Sequence, residues 1–70
     1  MDSSYFKIGD LVDVIVGKEY AKEHGYSTIA IITKLERNSF ERYPLLHLVH
    51  TDGRIACVSA AIVRKVSKWH

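Results

Sequence analysis

The chain has 70 residues, 47% hydrophobic and 26% charged, with ten Lys and Arg against eight Asp and Glu for a net charge of +2. That composition excludes disorder and sets a single small domain over residues 1–70. It also excludes a disulfide framework, since Cys57 is the one cysteine, a bilayer span of about 20 apolar residues, and the dense basic surface of an obligate nucleic-acid binder.

Seven Val and seven Ile against five Leu tilt the apolar set towards β-branched residues, which suit a pleated surface. Residues 1–5 form a lead without the basic-then-apolar pattern of a secretory signal. Together with the lone thiol, this sets the expected compartment as a reducing cytoplasm. Phe6-Lys7-Ile8-Gly9-Asp10 reads as a turn, with the Asp10 carboxylate accepting from nearby backbone N–H groups. The first strand is predicted over residues 11–16. Val12, Val14 and Val16 share its core face, and Leu11, Asp13 and Ile15 share the other. Gly17 ends the strand. Residues 18–25 read in two ways: one or two helical turns with Gly25 as C-cap, or a long excursion between strands.

The second strand is predicted over residues 27–37, with Ile29, Ile31 and Leu35 on the core face and Ala30, Ile32 and Lys34 on the other. Pro44 lacks an N–H and belongs at a strand start or edge. The third strand spans residues 45–50 and the fourth residues 54–58. Between them Asp52-Gly53 signals a hairpin with a type I′ turn. Residues 59–62 suit a single 3₁₀ turn before a last strand at residues 63–66, and Lys68-Trp69-His70 is a tail. The expected fold is all-β, a five-stranded antiparallel barrel with a long first loop and a short 3₁₀ turn before the last strand. Closure would hide the sheet edges.

The faces assigned away from the core are apolar at Leu11, Ile15, Ile32, Leu46 and Leu48. A surplus of that kind marks a protein interface, with Leu11, Ile15, Leu46 and Leu48 contacting a partner or a second copy of the chain. A bulge near Thr33, or a slip at Pro44, would exchange the faces and make the outer one more polar.

Several segments resemble the SH3-like barrel superfamily over about residues 6–66. Phe6-Lys7-Ile8-Gly9-Asp10-Leu11-Val12 looks like the Gly-Asp entry to the first strand of such domains. Asp13-Val14-Ile15-Val16-Gly17-Lys18, then Gly25 and Ala30-Ile31-Ile32, is similar to a KOW motif. It departs from that motif at Ala21, where another Gly is usual, and in the stretch Glu19-Tyr20-Ala21-Lys22-Glu23. The Asp52-Gly53-Arg54-Ile55 hairpin and the turn and strand of residues 59–66 complete the likeness. The resemblance implies a binding module rather than an enzyme. KOW-type domains typically bind RNA, DNA, ribosomes or RNA polymerase, and other SH3-like barrels bind peptides or build oligomers. The chain is similar in style to small accessory proteins of bacteriophages and bacteria.

Residue chemistry points the same way. Asp10 and Asp13 fall on different faces and make no acid–base pair. His47 and His50, three apart on a strand, point to opposite faces, and no metal or cofactor is expected. Cys57 reads as a buried structural thiol. The residues expected to contact phosphates or an acidic partner are Lys34, Arg37, Arg42, Arg54, Arg64 and Lys65. Tyr26, Tyr43 and Trp69 are the candidate stacking surfaces.

Overall fold

A computed structural model of the chain describes residues 5–37 and 42–66. Its elements, in chain order, are β1 (Leu11–Val14), α1 (Lys18–His24), β2 (Ile29–Glu36), β3 (Leu45–His50), β4 (Ile55–Ser59), a 3₁₀ turn (Ala60–Ile62) and β5 (Val63–Lys65). The five strands form one antiparallel sheet in the order β4-β3-β2-β1-β5, with β4 and β5 at its two ends. The described ladders therefore give a mainly β domain with an open strand order. The long first loop holds a short helix.

β1 is two residues shorter than its alternating pattern. The Ile15 N–H leaves the sheet and donates to the Ile62 carbonyl of the 3₁₀ turn at 2.9 Å. Beyond it Val16 is 60% exposed rather than buried. The Asp10 turn forms as expected: its Oδ2 accepts from the Lys7 backbone N–H at 2.9 Å. Ser59 caps the 3₁₀ turn by accepting from the Ala61 N–H at 3.1 Å.

The β3–β4 hairpin forms where Asp52-Gly53 predicted it, with a different turn. The His50 N–H donates to the Arg54 carbonyl at 2.7 Å, and the Gly53 N–H donates to the His50 carbonyl at 2.8 Å. Gly53 has φ of 94°, and no described residue other than glycine has positive φ. This is a three-residue loop, a type I turn followed by a left-handed glycine, and not the type I′ turn. Only one of the two turn residues needs positive φ, so Asp52 stays in ordinary backbone and its carboxylate is left to bond.

The core is built from Val12, Ala30, Ile32, Leu46, Leu48, Ala60 and Val63, with Phe6, Val14, Leu35, Val58 and Ile62 packed against it. The face assignment is corrected here. Residues directly opposite in a ladder share a face. Val12 pairs with Ala30, and Ala30 with His50. Once Val12 faces inward, Ala30, Ile32, Leu46, Leu48 and His50 must follow. Leu46 and Leu48, expected at a protein interface, are fully buried. Ile31, expected in the core, is 44% exposed. A register shift between Ile32 and Lys34 then changes the phase of β2, so that Leu35 packs inward beyond it.

Candidate functional site

The side chains that gather do so at the end of the sheet beside α1. Gly17, at φ 81°, turns the chain out of the strand, and Lys18, Glu19, Ala21, Lys22 and Glu23 are good helix formers. Seven residues make a marginal helix alone; burial of Ala21 docks it. Gly25, at φ 74°, ends it in a Schellman motif. The Gly25 N–H donates to the Lys22 carbonyl at 3.3 Å, and the Tyr26 N–H donates to the Ala21 carbonyl at 2.8 Å. That closure folds Tyr26 back over the helix.

An aromatic stack results. The Tyr20 and His24 rings, four apart on the helix, stack at 4.1 Å between centroids. His24 and Tyr26 lie at 5.7 Å with 19° between ring planes. His24 Nδ1 donates to the Tyr20 carbonyl at 2.9 Å, which fixes the imidazole against the tyrosine. The Arg54 guanidinium lies over the Tyr26 ring at 4.4 Å, a cation–π contact worth about 0.5–1 kcal/mol at an exposed site.

Arg54 is held by a clamp between the hairpin and the start of β2. Its Nε donates to Asp52 Oδ2 at 3.1 Å and its Nη2 to the Ser27 carbonyl at 2.7 Å. Asp52 Oδ2 also accepts from the Ser27 N–H at 3.0 Å. The Ser27 N–H and then the Arg54 backbone and guanidinium draw the Asp52 carboxyl down from its ordinary 3.8 to about 2.

Between this stack and the sheet lies a cleft of about 300 Å³, walled by Val14, Val16, Tyr20, Ala21 and Tyr26, with Arg54, Ser27 and Thr28 also lining it. His50 lines it too. The residue is 6% exposed, and its Nδ1 is buried without a hydrogen-bond partner. An unpartnered buried polar atom costs about 1–3 kcal/mol. A second, open groove lies beside Lys18, Lys22, Tyr26 and Thr28. Lys18 is half committed: its Nζ donates to Asp13 Oδ2 at 2.7 Å. Burial pushes the Asp13 carboxyl up, but hydrogen bonds from Lys18 and Thr28 and the charges of Lys18 and Arg64 bring it below its ordinary value.

Of the residues singled out in sequence, Tyr26 and Arg54 meet at this site. Arg64 and Lys65 lie on β5: Arg64 shares the Asp13 carboxylate with Lys18 and so borders the groove, while Lys65 pairs with Asp10. Lys65 also donates to the Tyr5 carbonyl and lies over the Tyr5 ring at 4.7 Å. Lys34 is exposed on β2 opposite His47. Arg37, Arg42 and Tyr43 are exposed at the β2–β3 end, away from the hairpin. Trp69 lies outside the described residues. Sequence reasoning missed Tyr20, His24, Lys18, Lys22 and His50. The helical alternative for residues 18–25 held the signal for Tyr20 and His24, because residues four apart share a helix face.

Cys57 is exposed, not buried. It sits cross-strand from His47, with Sγ at 3.9 Å from Nε2. His47 Nε2 donates to Glu36 Oε1 at 2.8 Å, and this contact lowers the Glu36 carboxyl below its ordinary value. Among the described residues no group of three His, Cys, Asp or Glu side chains is placed to hold a metal ion. Nor is any helix among them long and apolar enough to cross a membrane. Comparison with family models, curated proteins and solved structures finds no match to this chain.

Proposed function

We propose that the chain is a non-enzymatic, SH3-like binding module that associates with single-stranded nucleic acid through the aromatic and cationic surface at α1. The observation that carries the reading is the Arg54 guanidinium over the Tyr26 ring, beside the Tyr20–His24 stack. Bases stack on such rings at about 1–3 kcal/mol each, and Arg, Lys18 and Lys22 supply charge for phosphates. The SH3-like part is supported by the strand order β4-β3-β2-β1-β5 and by the 3₁₀ turn that returns the chain to β1. The exposed free thiol of Cys57 supports a reducing compartment, such as the cytoplasm.

Fluorescence anisotropy of labelled single-stranded DNA and RNA across a salt series tests this. Two or three phosphate contacts give a slope of log K against log salt of about −1.4 to −2.1. Tyr20→Ala should weaken binding by about 1–3 kcal/mol, and Lys22→Glu should reduce the slope. Absence of binding at low salt would overturn the reading.

A second reading, a protein–protein module, rests on one row across the outer face. Leu11, Ile31, Val49 and Ile55 pair in register over β1, β2, β3 and β4. Ile31, Val49 and Ile55 are 44%, 37% and 81% exposed. A row of this kind suits a second copy of the chain. Light scattering after size exclusion decides it: a concentration-dependent dimer that Ile55→Lys dissociates supports it, and a strict monomer removes it.

A further inference from the structure

We propose that the cleft behind α1 receives the base of one unstacked nucleotide, and that His50 is the residue that distinguishes one base from another. This deepens the nucleic-acid reading and rests on it for the polymer, but the cleft is tested separately.

Each part of the site matches one part of a nucleotide. The volume, about 300 Å³, lies at the lower end of ligand sites, roughly 300–1,000 Å³, and suits one heteroaromatic ring system rather than an extended ligand. The walls are Val14 and Val16 against Tyr20 and Tyr26, an apolar and aromatic lining that suits a flat ring system. The rim carries Arg54, whose contacts to Asp52 and Ser27 use two N–H groups and leave donors over for an anion. The adjoining groove carries Lys18 and Lys22. A flat ring with an attached phosphate satisfies all three.

The second and independent observation is His50. It sits on the core face of β3, in a row with Ala30 and Val12. Its Nδ1 is buried and has no partner within the described protein. Buried polar groups are nearly always hydrogen-bonded, and one that is not calls for a reason. A structural core position here would be filled at lower cost by Leu or Phe. The imidazole also borders the cleft, and its terminal torsion is soft. A base seated in the cleft supplies the partner that Nδ1 lacks if the ring turns towards it on binding. An uncharged imidazole accepts at one nitrogen and donates at the other, so the base edge it prefers depends on the tautomer. A hydrogen bond satisfied only by the matching base separates bases by roughly tenfold in Kd.

The test uses two probes on the whole chain. Free AMP, GMP, CMP and UMP are titrated while the NMR signals of Val14, Val16 and the His50 ring are followed. Labelled single-stranded oligonucleotides of each base are titrated in parallel. His50→Phe keeps an aromatic ring in the core position and removes the hydrogen bond. Val16→Trp fills the cleft mouth from an exposed position and leaves the core untouched. Support consists of nucleotide-induced shifts at the cleft, loss of the Val14 and His50 shifts in Val16→Trp, and collapse of the base preference in His50→Phe. If His50→Phe fails to fold, Val16→Trp and the wild-type base preference carry the decision. If oligonucleotides bind and free nucleotides leave the cleft signals unmoved, the cleft inference is overturned and the nucleic-acid reading stands. If nucleotides bind the cleft and oligonucleotides do not bind at all, the cleft stands and the wider reading falls. If neither binds, both fall.

Discussion

The Asp52 carboxylate accepts the Ser27 backbone N–H at 3.0 Å across 25 residues of chain. The same carboxylate holds Arg54, so one side chain ties the β3–β4 hairpin to the entrance of β2 and sets the guanidinium over Tyr26.

That contact makes acid stability predictable. The folded Asp52 value, about 2, lies below the ordinary 3.8, so the folded state binds that proton less readily than the unfolded chain. Its stabilisation is complete above about pH 5 and is lost progressively as pH falls through about 2. Asp13 and Glu36 are lowered as well and act with the same sign. Thermal melts over this range should show a falling Tm in the wild type and a smaller fall in Asp52→Asn. Identical pH profiles would show that the clamp does not stabilise the fold.

Leu48 and Ile55 test the corrected faces. Leu48 is fully buried and Ile55 is 81% exposed. Leu48→Ala should cost about 2–5 kcal/mol, while Ile55→Thr should stay within about 0.5 kcal/mol. Urea unfolding followed by circular dichroism measures both. A larger cost for Ile55→Thr than for Leu48→Ala would mean that β3 and β4 present the opposite faces.

Gly53 is required by its backbone and not by space. Its φ is 94°, and a Cβ there would meet nothing within 4 Å. Gly53→Ala should therefore destabilise by about 1–2 kcal/mol through conformation alone. Gly53→Asn should cost less, because Asn tolerates left-handed backbone. A reversed order in urea midpoints would contradict the turn described.

Asp13 joins three elements, β1, α1 and β5, to the residue that precedes β2. It accepts from Thr28 Oγ1 at 2.7 Å, Lys18 Nζ at 2.7 Å and Arg64 Nη2 at 3.4 Å. Both cations stay partly solvated, so removing their partner does not strand a buried charge. Asp13→Ala should cost about 1–3 kcal/mol. It should also raise amide exchange at Ala21 and Tyr26, since Lys18 is the helix residue that Asp13 anchors. Unchanged exchange there would mean that α1 is held by Ala21 packing alone.

Where the chain turns was legible locally. The Asp52-Gly53 pair marked the hairpin, Gly25 the end of the helical alternative for residues 18–25, the small residues 59–62 the 3₁₀ turn, and Pro44 a strand start or edge. Each acts through its own backbone preference, which needs no distant partner. The strand runs were legible for the same reason, as β-branched residues between those turns.

The inward face was not legible, because β2 and β3 are apolar on both sides. Ile31 and Ile32 are equally hydrophobic, and alternation gives two sets without saying which is covered. Only the Val12–Ala30–His50 register ties the strands to one side, and the shift after Ile32 then changes the phase within β2. Likewise Tyr20, Tyr26, His50 and Arg54 come from a helix, a cap, a strand and a hairpin. The sequence by itself determined where the chain turns and roughly where it is extended. The tertiary structure decided burial and the gathering of the site, because both depend on pairing between residues far apart in the chain.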